Sequence, residues 1–401
     1  MISKPGIAVT AALLLYAAAA SAQGAPELSF NGFGTLGVVH SDEDQADFVS
    51  DLFAPDGAGY TRNWSPEVDS RLGLQLTGEI TPQLTGVVQV IAEQRYDETY
   101  RPTVEWANLR YDVTPDLSLR AGRMVLPNFM VSEHRKVGYA NPWIRPPQEL
   151  YRTVPVTNTD GIGLSYRSRI AGFTNTVQAR YGQKDAELHG DIETEARNGL
   201  TVANTLESGA TSLFASYNRS RLTIDAFNPL FDAYRQFGAE GEAIADRYDV
   251  DDKRFEVVSV GARYDPGDWF VMGEWSATES RTFIGDSRSW YVSAGYRFGA
   301  ITPYATIART RATSDTSDPG LDNPQAQELN ARLNVFLGSA AEQKSVSVGA
   351  RWDFARNFAL KVQYDRLDLD EGSRGVLINE QAGFRRGGTV NLFSAALDFV
   401  F

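Results

Sequence analysis

The sequence contains no cysteine, which excludes disulfide bonds, thiolate metal sites and cysteine nucleophiles. It has three histidines, His40, His134 and His189, and none has a second ligand at metal-binding spacing. A hydrolase carried by a membrane barrel would need a Ser-His pair, for which only His134 is a candidate. We therefore expect no enzymatic activity, no bound metal and no cofactor.

Long apolar runs and a basic excess are also missing. After the N-terminal segment no stretch reaches the ~18 apolar residues that a membrane helix needs. Lys and Arg number 38 against 51 Asp and Glu, for a formal net charge of -13. An acidic chain does not neutralise a phosphate backbone over a broad face, so we expect no nucleic-acid partner. Apolar residues at helical spacing are almost absent after residue 23, which disfavours a helical bundle.

The first 22 residues have the pattern of a cleaved signal peptide. A single Lys4 precedes an apolar run from Ile7 to Ala20, and the segment closes on Ala20-Ser21-Ala22, a small-x-small cleavage pattern. The alternative is an uncleaved anchor helix. We predict an exported protein whose mature chain comprises residues 23–401.

Apolar residues instead recur at every second position. In one segment Val258, Val260 and Ala262 alternate with Ser259 and Gly261. Such segments are roughly 9–13 residues long, the length of a tilted strand that crosses a bilayer. The alternative for period-two segments is a soluble β-sandwich or solenoid, whose strands average only ~5–6 residues.

The connections between these segments alternate in length. Seven short turns contain Pro, Gly, Asn or Asp, the residues of tight hairpins. Eight longer polar segments lie between them, near 40–69, 96–102, 124–159, 183–198, 225–253, 279–286, 311–343 and 368–388. We predict an all-β fold: a closed antiparallel transmembrane β-barrel of about sixteen strands, with short periplasmic turns and long extracellular loops.

Aromatic residues and the last segment agree with that barrel. Seven rings lie at the turn end of the apolar faces and predict an interfacial girdle, namely Tyr111, Tyr166, Tyr264, Trp269, Phe298, Trp352 and Phe358. In the last segment, Phe393 to Phe401 at odd positions would face lipid, and Ser394, Ala396 and Asp398 would face the lumen. We expect this segment to pair with the first strand, "ELSFNGFGTLGVV", so that no edge remains unpaired in lipid.

Together, the signal peptide, the closing strand ending in Phe401, the sixteen-strand rhythm and a long loop after the fifth strand resemble the Gram-negative general porins. The resemblance covers the whole mature chain, as a pattern more than a sharp motif. It implies a homotrimer in outer-membrane lipid and lipopolysaccharide, and a terminal aromatic residue that is read by the assembly machinery. It also implies that the loop after strand five folds into the barrel and narrows it.

Here that loop, residues 124–159, follows the strand "LSLRAGR" (117–123) and mixes apolar and charged residues. Its apolar residues Phe129, Met130, Val131, Trp143 and Ile144 predict packing inside a wall. An extracellular lid and a trimer latch are the alternatives. The predicted constriction residues are Glu133, Arg135, Lys136, Arg145, Glu149 and Arg152 on the loop and Arg71, Arg95, Arg110 and Arg120 on the facing wall.

The charges of this loop depart from the family pattern. Similar porins set an arginine ladder opposite an acidic loop, whereas this loop carries more basic than acidic residues. We expect a net basic lumen beneath net acidic loops, which points towards anions.

The predicted function is a passive, water-filled channel for small hydrophilic solutes. The alternatives are a solute-specific channel, for phosphate, an organic acid or a sugar, and a plugged structural or adhesive barrel. Two helix-like segments, 228–237 and 323–337, are expected to cap part of the mouth.

Overall fold

The structure, a computed structural model, describes residues 27–188 and 192–401. The predicted signal peptide and His189 lie outside the described residues. Sixteen long strands form the wall: β1 Glu27–Ser41, β2 Arg71–Thr81, β3 Leu84–Glu93, β4 Thr103–Asp112, β5 Leu117–Val125, β6 Asn158–Ile170, β7 Phe173–Leu188, β8 Ile192–Ser208, β9 Thr211–Thr223, β10 Lys253–Tyr264, β11 Trp269–Ser280, β12 Ser287–Tyr296, β13 Ile301–Ala312, β14 Gln343–Ala355, β15 Phe358–Leu369 and β16 Thr389–Val400.

Each long strand pairs antiparallel with the next, and β16 pairs with β1 from Phe33–Val400 to Ser41–Leu392. The predicted closed barrel of sixteen long strands is confirmed. A further two-residue strand, Trp64–Ser65, joins the sheet beside β1, and another short pair, Asp47–Phe48 with Ala58–Gly59, stands apart. No helix in the described residues is long and apolar enough to cross a membrane.

The two faces of the wall alternate as the sequence predicts. In β16, Phe393 is 51% exposed on the outer face, whereas Ser394 and Asp398 are buried on the inner face. All seven predicted girdle rings are exposed, from 40% for Trp269 to 65% for Phe298. An apolar outer face and a polar inner face are what a barrel in lipid requires.

The seven predicted turns are confirmed, but the predicted loop at 183–198 is wrong. The strand β7 extends to Leu188 and β8 begins at Ile192, and the two pair from Lys184–Ala196 to Leu188–Ile192. One face carries four acidic residues here and the other mixes Lys184 with Ala186, Leu188 and Ile192, so the apolar outer face of the wall is lost while the backbone ladder goes on. Register shifts after Gly182 and after Arg197 interrupt the period-two pattern and make the strands harder to recognise in the sequence.

In the described part of the chain, four α-helices lie in the loops: α1 Gln148–Tyr151, α2 Asn228–Arg235, α3 Gly238–Tyr248 and α4 Gln327–Leu337. The helices expected within 228–237 and 323–337 are present, whereas α3 was not predicted. On α4 the buried side chains are Leu333 and Leu337, which pack with Phe231 and Tyr234 of α2. Apolar packing therefore joins two extracellular loops into one cap.

Two glycines of β1 make room for the last aromatic residues. A Cβ on Gly34 would lie 2.4 Å from the Phe399 ring, and one on Gly32 would lie 2.2 Å from the Phe401 ring. Gly32 and Phe401 also exchange backbone hydrogen bonds of 2.9 and 3.0 Å. The small residues of "GFGTLG" thus allow the closing strand to lay its rings flat on the outer face of β1.

We expect Gly34→Val to destabilise the closed barrel by about 1–3 kcal/mol, because the added methyl groups displace the Phe399 ring. The measurement is the urea midpoint of the barrel refolded in lipid vesicles. Leu36→Val, on the same lipid face of the same strand, is the control and should shift the midpoint less. Equal midpoints for the two variants would contradict this packing role.

Candidate functional site

The loop between β5 and β6, residues 126–157, lies against the inner face of the wall, and we call it the inner loop. Its Phe129, Val131, Trp143, Leu150 and Tyr151 are buried. They form one apolar cluster with inward-facing side chains of β10 to β13, namely Val257, Phe270, Met272, Tyr291, Tyr304 and Ala308. The apolar residues of this loop therefore pack inside the barrel, as their composition predicts.

A buried lysine of the wall holds the backbone of the inner loop. Lys361 of β15 is fully buried and donates hydrogen bonds to the carbonyl oxygens of Gly138, Asn141 and Trp143 at 2.7–2.8 Å. Its charge is balanced by Asp398 of β16, 2.8 Å away. A Cβ on Gly138 would lie 2.1 Å from the Asp398 carboxylate, so only glycine permits this close approach.

A buried arginine of the loop makes the second attachment. Arg145 donates to both carboxylate oxygens of Asp69 at 2.9 and 2.6 Å, to Asp365 at 3.1 Å and to Ser394 at 2.7 Å. The two carboxylates satisfy a guanidinium that is only 6% exposed. Buried charges need such partners, since an unpaired one costs several kcal/mol.

The third attachment centres on a buried carboxylate. Glu274 of β11 accepts hydrogen bonds from the hydroxyl groups of Tyr151 at 2.6 Å and Tyr291 at 3.1 Å. It also accepts from the backbone N–H of Met130 at 3.2 Å. Nearby, the Trp143 indole donates to Ser293 of β12 at 2.9 Å. Polar and apolar contacts therefore fix the same side of the loop to one half of the wall.

Three of the predicted constriction residues lie on this attached side. Arg145 belongs to the attachment, and Glu149 is 3% exposed and accepts a hydrogen bond from Gln343 at 2.7 Å. Arg152 donates to the carbonyl oxygen of Val376 in the loop before β16. Arg135 donates to the carbonyl oxygen of Val154 and stacks over Tyr151, within the inner loop itself. None of these four side chains lines the larger cavities described next.

Two cavities lie inside the barrel, and we call them the lower and the upper chamber. The lower chamber, about 1130 Å³, lies between the short turns and the inner loop, and the upper chamber, about 670 Å³, lies towards the long loops. Among the residues that the structure describes, none lines both chambers. Of the predicted site residues, Arg110, Arg120 and Glu133 line the lower chamber, and Arg95 and Lys136 line the upper one.

The predicted row of four arginines is divided by the stagger of the strands. Arg110 and Arg120 are direct cross-strand partners, and Arg180 of β7 follows across Gly163. By contrast, Arg71 lies at the other end of the wall, 3.6 Å from Glu93. Arg95 lies beyond the end of β3, 3.6 Å from Asp97. The structure therefore brings together Arg110 and Arg120 but not all four.

We expected a net basic lumen, but the side chains that line the two chambers are net acidic. Acidic side chains outnumber basic ones in both chambers, with Asp112, Asp116, Glu133, Glu207 and Asp265 in the lower one and Asp51, Glu93, Glu105, Asp185, Glu187, Glu193 and Glu195 in the upper one. At the turn end, a hydrogen bond from Arg297, assisted by Arg263, lowers the pKa of Asp265 to about 2. Within the described residues, no three acidic or histidine side chains form a metal site.

Lys136 of the inner loop reaches the half of the wall opposite the three attachments. Its Nζ donates to Glu93 of β3 at 2.5 Å and to Glu105 of β4 at 3.2 Å. Glu105 is the extra residue of a bulge, since Gln89 pairs with Trp106 and Val90 with Val104. A bulge interrupts the alternation from which lumen residues are predicted, so sequence reasoning missed Glu105.

Comparison with known proteins agrees with this geometry. The family model for Gram-negative porins matches residues 8–372. No curated protein resembles the chain closely enough in sequence to count as a relative.

Among solved structures, Salmonella typhi OmpF in complex with daunomycin is 16% identical, with a TM-score of 0.56 over 94% of this chain and 98% of that one. An anion-selective porin from Comamonas acidovorans is 12% identical, with a TM-score of 0.56 over 94% and 100%. A trimer form of Vibrio cholerae OmpT is 12% identical, with a TM-score of 0.51 over 94% and 100%. At these identities the likeness concerns the fold.

We expect Arg145→Met to destabilise the protein by about 3–5 kcal/mol, because Asp69 and Asp365 would become buried, unpaired carboxylates. The measurements are the urea midpoint and the rate of proteolysis within the inner loop. Arg332→Met is the control, since Arg332 pairs with Glu328 on an exposed helix face and should contribute ~0.5 kcal/mol or less. A midpoint for Arg145→Met as high as that of the control would contradict the attachment.

Proposed function

The chain belongs to the Gram-negative porin family, and from this premise we propose that it is a water-filled channel through which small hydrophilic solutes diffuse passively across the outer membrane, with a preference for anions. A closed barrel of sixteen strands is wide enough to enclose an aqueous channel. Both chambers are lined largely by polar and charged side chains, as aqueous passage requires. Family and fold favour a channel over an enzyme.

The anion preference is carried by Arg110, Arg120 and Arg180, which lie on neighbouring strands beside the lower chamber and which we call the arginine row. Arg120 and Arg180 have no acidic partner in ion-pair contact among the described residues. Arg180 donates instead to the carbonyl oxygens of Leu164 and Ala179. Arg110 has one such partner, Asp112, at 3.1 Å. Arg180 is buried, whereas Arg110 and Arg120 line the lower chamber, where adjacent guanidinium groups attract anions and give them a position on the wall.

The acidic linings oppose this preference. The carboxylates of the upper chamber attract cations at the extracellular side, while the arginine row acts nearer the periplasmic side. We place the selection of anions at Arg110 and Arg120, because these two side chains are adjacent and both positively charged. A structural similarity to an anion-selective porin is consistent with that choice.

The same function includes export of the chain and its assembly in the outer membrane. Residues 1–22 act as a cleaved signal peptide, and the mature barrel is a homotrimer among outer-membrane lipid and lipopolysaccharide. The trimer is supported by the structural similarity to an outer membrane protein of Vibrio cholerae that was solved in a trimer form. The exposed outer faces, with Leu28, Phe30 and Leu36 each more than 60% exposed on β1, supply the apolar surface that lipid or a neighbouring subunit would cover.

A plugged barrel remains the competing function, and one observation favours it. Inward-facing side chains at mid-height, including Gln89, Glu105 and Asn108, are less than 9% exposed. A solute-specific channel has no comparable support. The two functions differ in conductance, since a plugged barrel passes no current.

We expect the double variant Arg110→Gln, Arg120→Gln to shift selectivity towards cations while the barrel stays folded. At an effective dielectric constant of about 40, one charge about 8 Å from a passing ion changes its energy by about 1 kcal/mol, or about fivefold in permeability. The measurement is the reversal potential of refolded protein in a planar bilayer under a salt gradient.

The control for this experiment is Lys344→Gln with Arg366→Gln, which removes two positive charges from the outer face. It should leave the reversal potential unchanged. Cation preference of the unmodified channel would refute the anion preference, and absence of current from the folded barrel would refute the channel.

A further inference from the structure

We propose that a monovalent metal cation, sodium or potassium, binds between the inner loop and the wall, in a small polar cavity beside Glu149. The cavity measures about 30 Å³ and is lined by residues of α1, β14 and β15, among others. Among the described residues, none that lines it also lines either chamber. The proposal goes beyond the channel function, because it concerns how the inner loop is held in place and not what the barrel passes.

The lining of this cavity is rich in oxygen atoms. It includes the carboxylates of Glu149 and Asp365 and the side-chain amide of Gln148. The hydroxyl groups of Ser345 and Ser347 of β14 complete the set. Oxygen atoms of this kind are the ligands of hard cations. The volume exceeds the ~10–15 Å³ that one water-sized particle needs, so one sodium or potassium ion fits.

The charges of the lining do not balance. Glu149 is 3% exposed, accepts a hydrogen bond from Gln343 at 2.7 Å and makes no ion pair among the described residues. Of the basic residues that the structure describes, Arg145 alone lines this cavity. It donates to Asp365 at 3.1 Å and is shared with Asp69 outside the cavity. Two carboxylates thus line the cavity against one guanidinium group, and a single positive charge balances them, which favours a monovalent over a divalent ion.

The surroundings of Glu149 also disfavour its charged form when no cation is present. Burial raises the pKa of Glu149, and the like charge of Asp365 raises it further, whereas hydrogen bonds from Ser345 and Gln343 act in the opposite direction. A buried carboxylate without a counter-charge is strongly destabilising. The group therefore needs either a proton or a metal cation, and the cavity beside it has room for the cation.

An unused amide oxygen points independently to a ligand. Gln148 is 8% exposed, and its Nε2 donates to the carbonyl oxygen of Pro146 at 2.9 Å. The other atom of the same amide, Oε1, is buried and accepts no hydrogen bond from the described residues. Buried polar atoms are normally satisfied, so an acceptor without a partner beside a polar cavity indicates a bound cation or donor.

The sequence carries no signal for such a site. Its oxygen atoms come from the inner loop and from β14 and β15, which are distant in the chain. Only two of them belong to carboxylates, so the site differs from a cluster of three acidic or histidine side chains, which the described residues do not contain.

The first experiment compares urea midpoints of the refolded barrel in sodium, potassium and tetramethylammonium chloride, at equal ionic strength and at pH 8. Tetramethylammonium is too large for the cavity. An ion that binds only the folded state stabilises it, so the midpoint of the unmodified protein should be higher by about 0.5 M or more in the sodium or the potassium salt. The salt with the higher midpoint identifies the ion. Glu149→Gln should have the same midpoint in all three salts.

The matched control is Glu328→Gln, which removes a carboxylate that is 77% exposed on α4. It should keep the salt dependence of the unmodified protein. A second measurement needs no variant and therefore does not depend on the folding of Glu149→Gln. Crystals of the unmodified protein soaked with thallium(I), an anomalous scatterer close in size to potassium, should show a thallium peak in contact with Glu149.

The results separate a metal cation from a proton. A salt-dependent midpoint that Glu149→Gln abolishes, together with a thallium peak beside Glu149, supports the proposal. Equal midpoints in the three salts and no thallium peak in the cavity overturn it, and Glu149 is then neutralised by a proton. Salt dependence that persists in Glu149→Gln places the cation elsewhere and also overturns it. None of these measurements involves ion conduction, so the channel function is tested separately.

Discussion

The structure depends on one constraint: in a bilayer every backbone N–H and C=O must find its partner within the protein. Pairing of β16 with β1 meets that constraint, because it removes the last open edge of the sheet. The glycines of β1 let the rings of Phe399 and Phe401 lie flat beside that seam. Once the wall is closed, alternate side chains must face either lipid or the lumen, so the outer face becomes apolar and the inner face polar.

A polar interior then permits the burial of charged side chains, which a hydrophobic core would not. Lys361, Arg145 and Glu274 are buried between the inner loop and the wall, and each charge is met by an opposite charge or by several hydrogen bonds. Apolar side chains of the loop pack beside them. Because most of these contacts lie on one half of the barrel, the loop divides the lumen asymmetrically, and Arg110 and Arg120 on the other half face the lower chamber.

Function follows from the competition between fixed charges along this path. The upper chamber is rich in carboxylates, Lys136 of the inner loop pairs with Glu93 and Glu105, and Arg110 and Arg120 are adjacent on the wall of the lower chamber. In the proposed channel a solute would meet these regions one after another, and the fixed charge at the narrowest of them would set the selectivity. Composition alone could not rank these regions, since the chain as a whole is acidic.

The sequence by itself determined the closed barrel, because period-two segments, short turns and aromatic residues at one end are local features. They can be recognised without knowing which residues are in contact. It also located the loop that packs inside. Tertiary structure decided which charges meet: Arg145 became an attachment, Arg71 and Arg95 were separated from Arg110 and Arg120, and Glu105 reached the lumen through a bulge. The physical reason is that strand stagger, bulges and the course of a long loop arise from pairings between distant residues, and alternation along one strand contains no information about them.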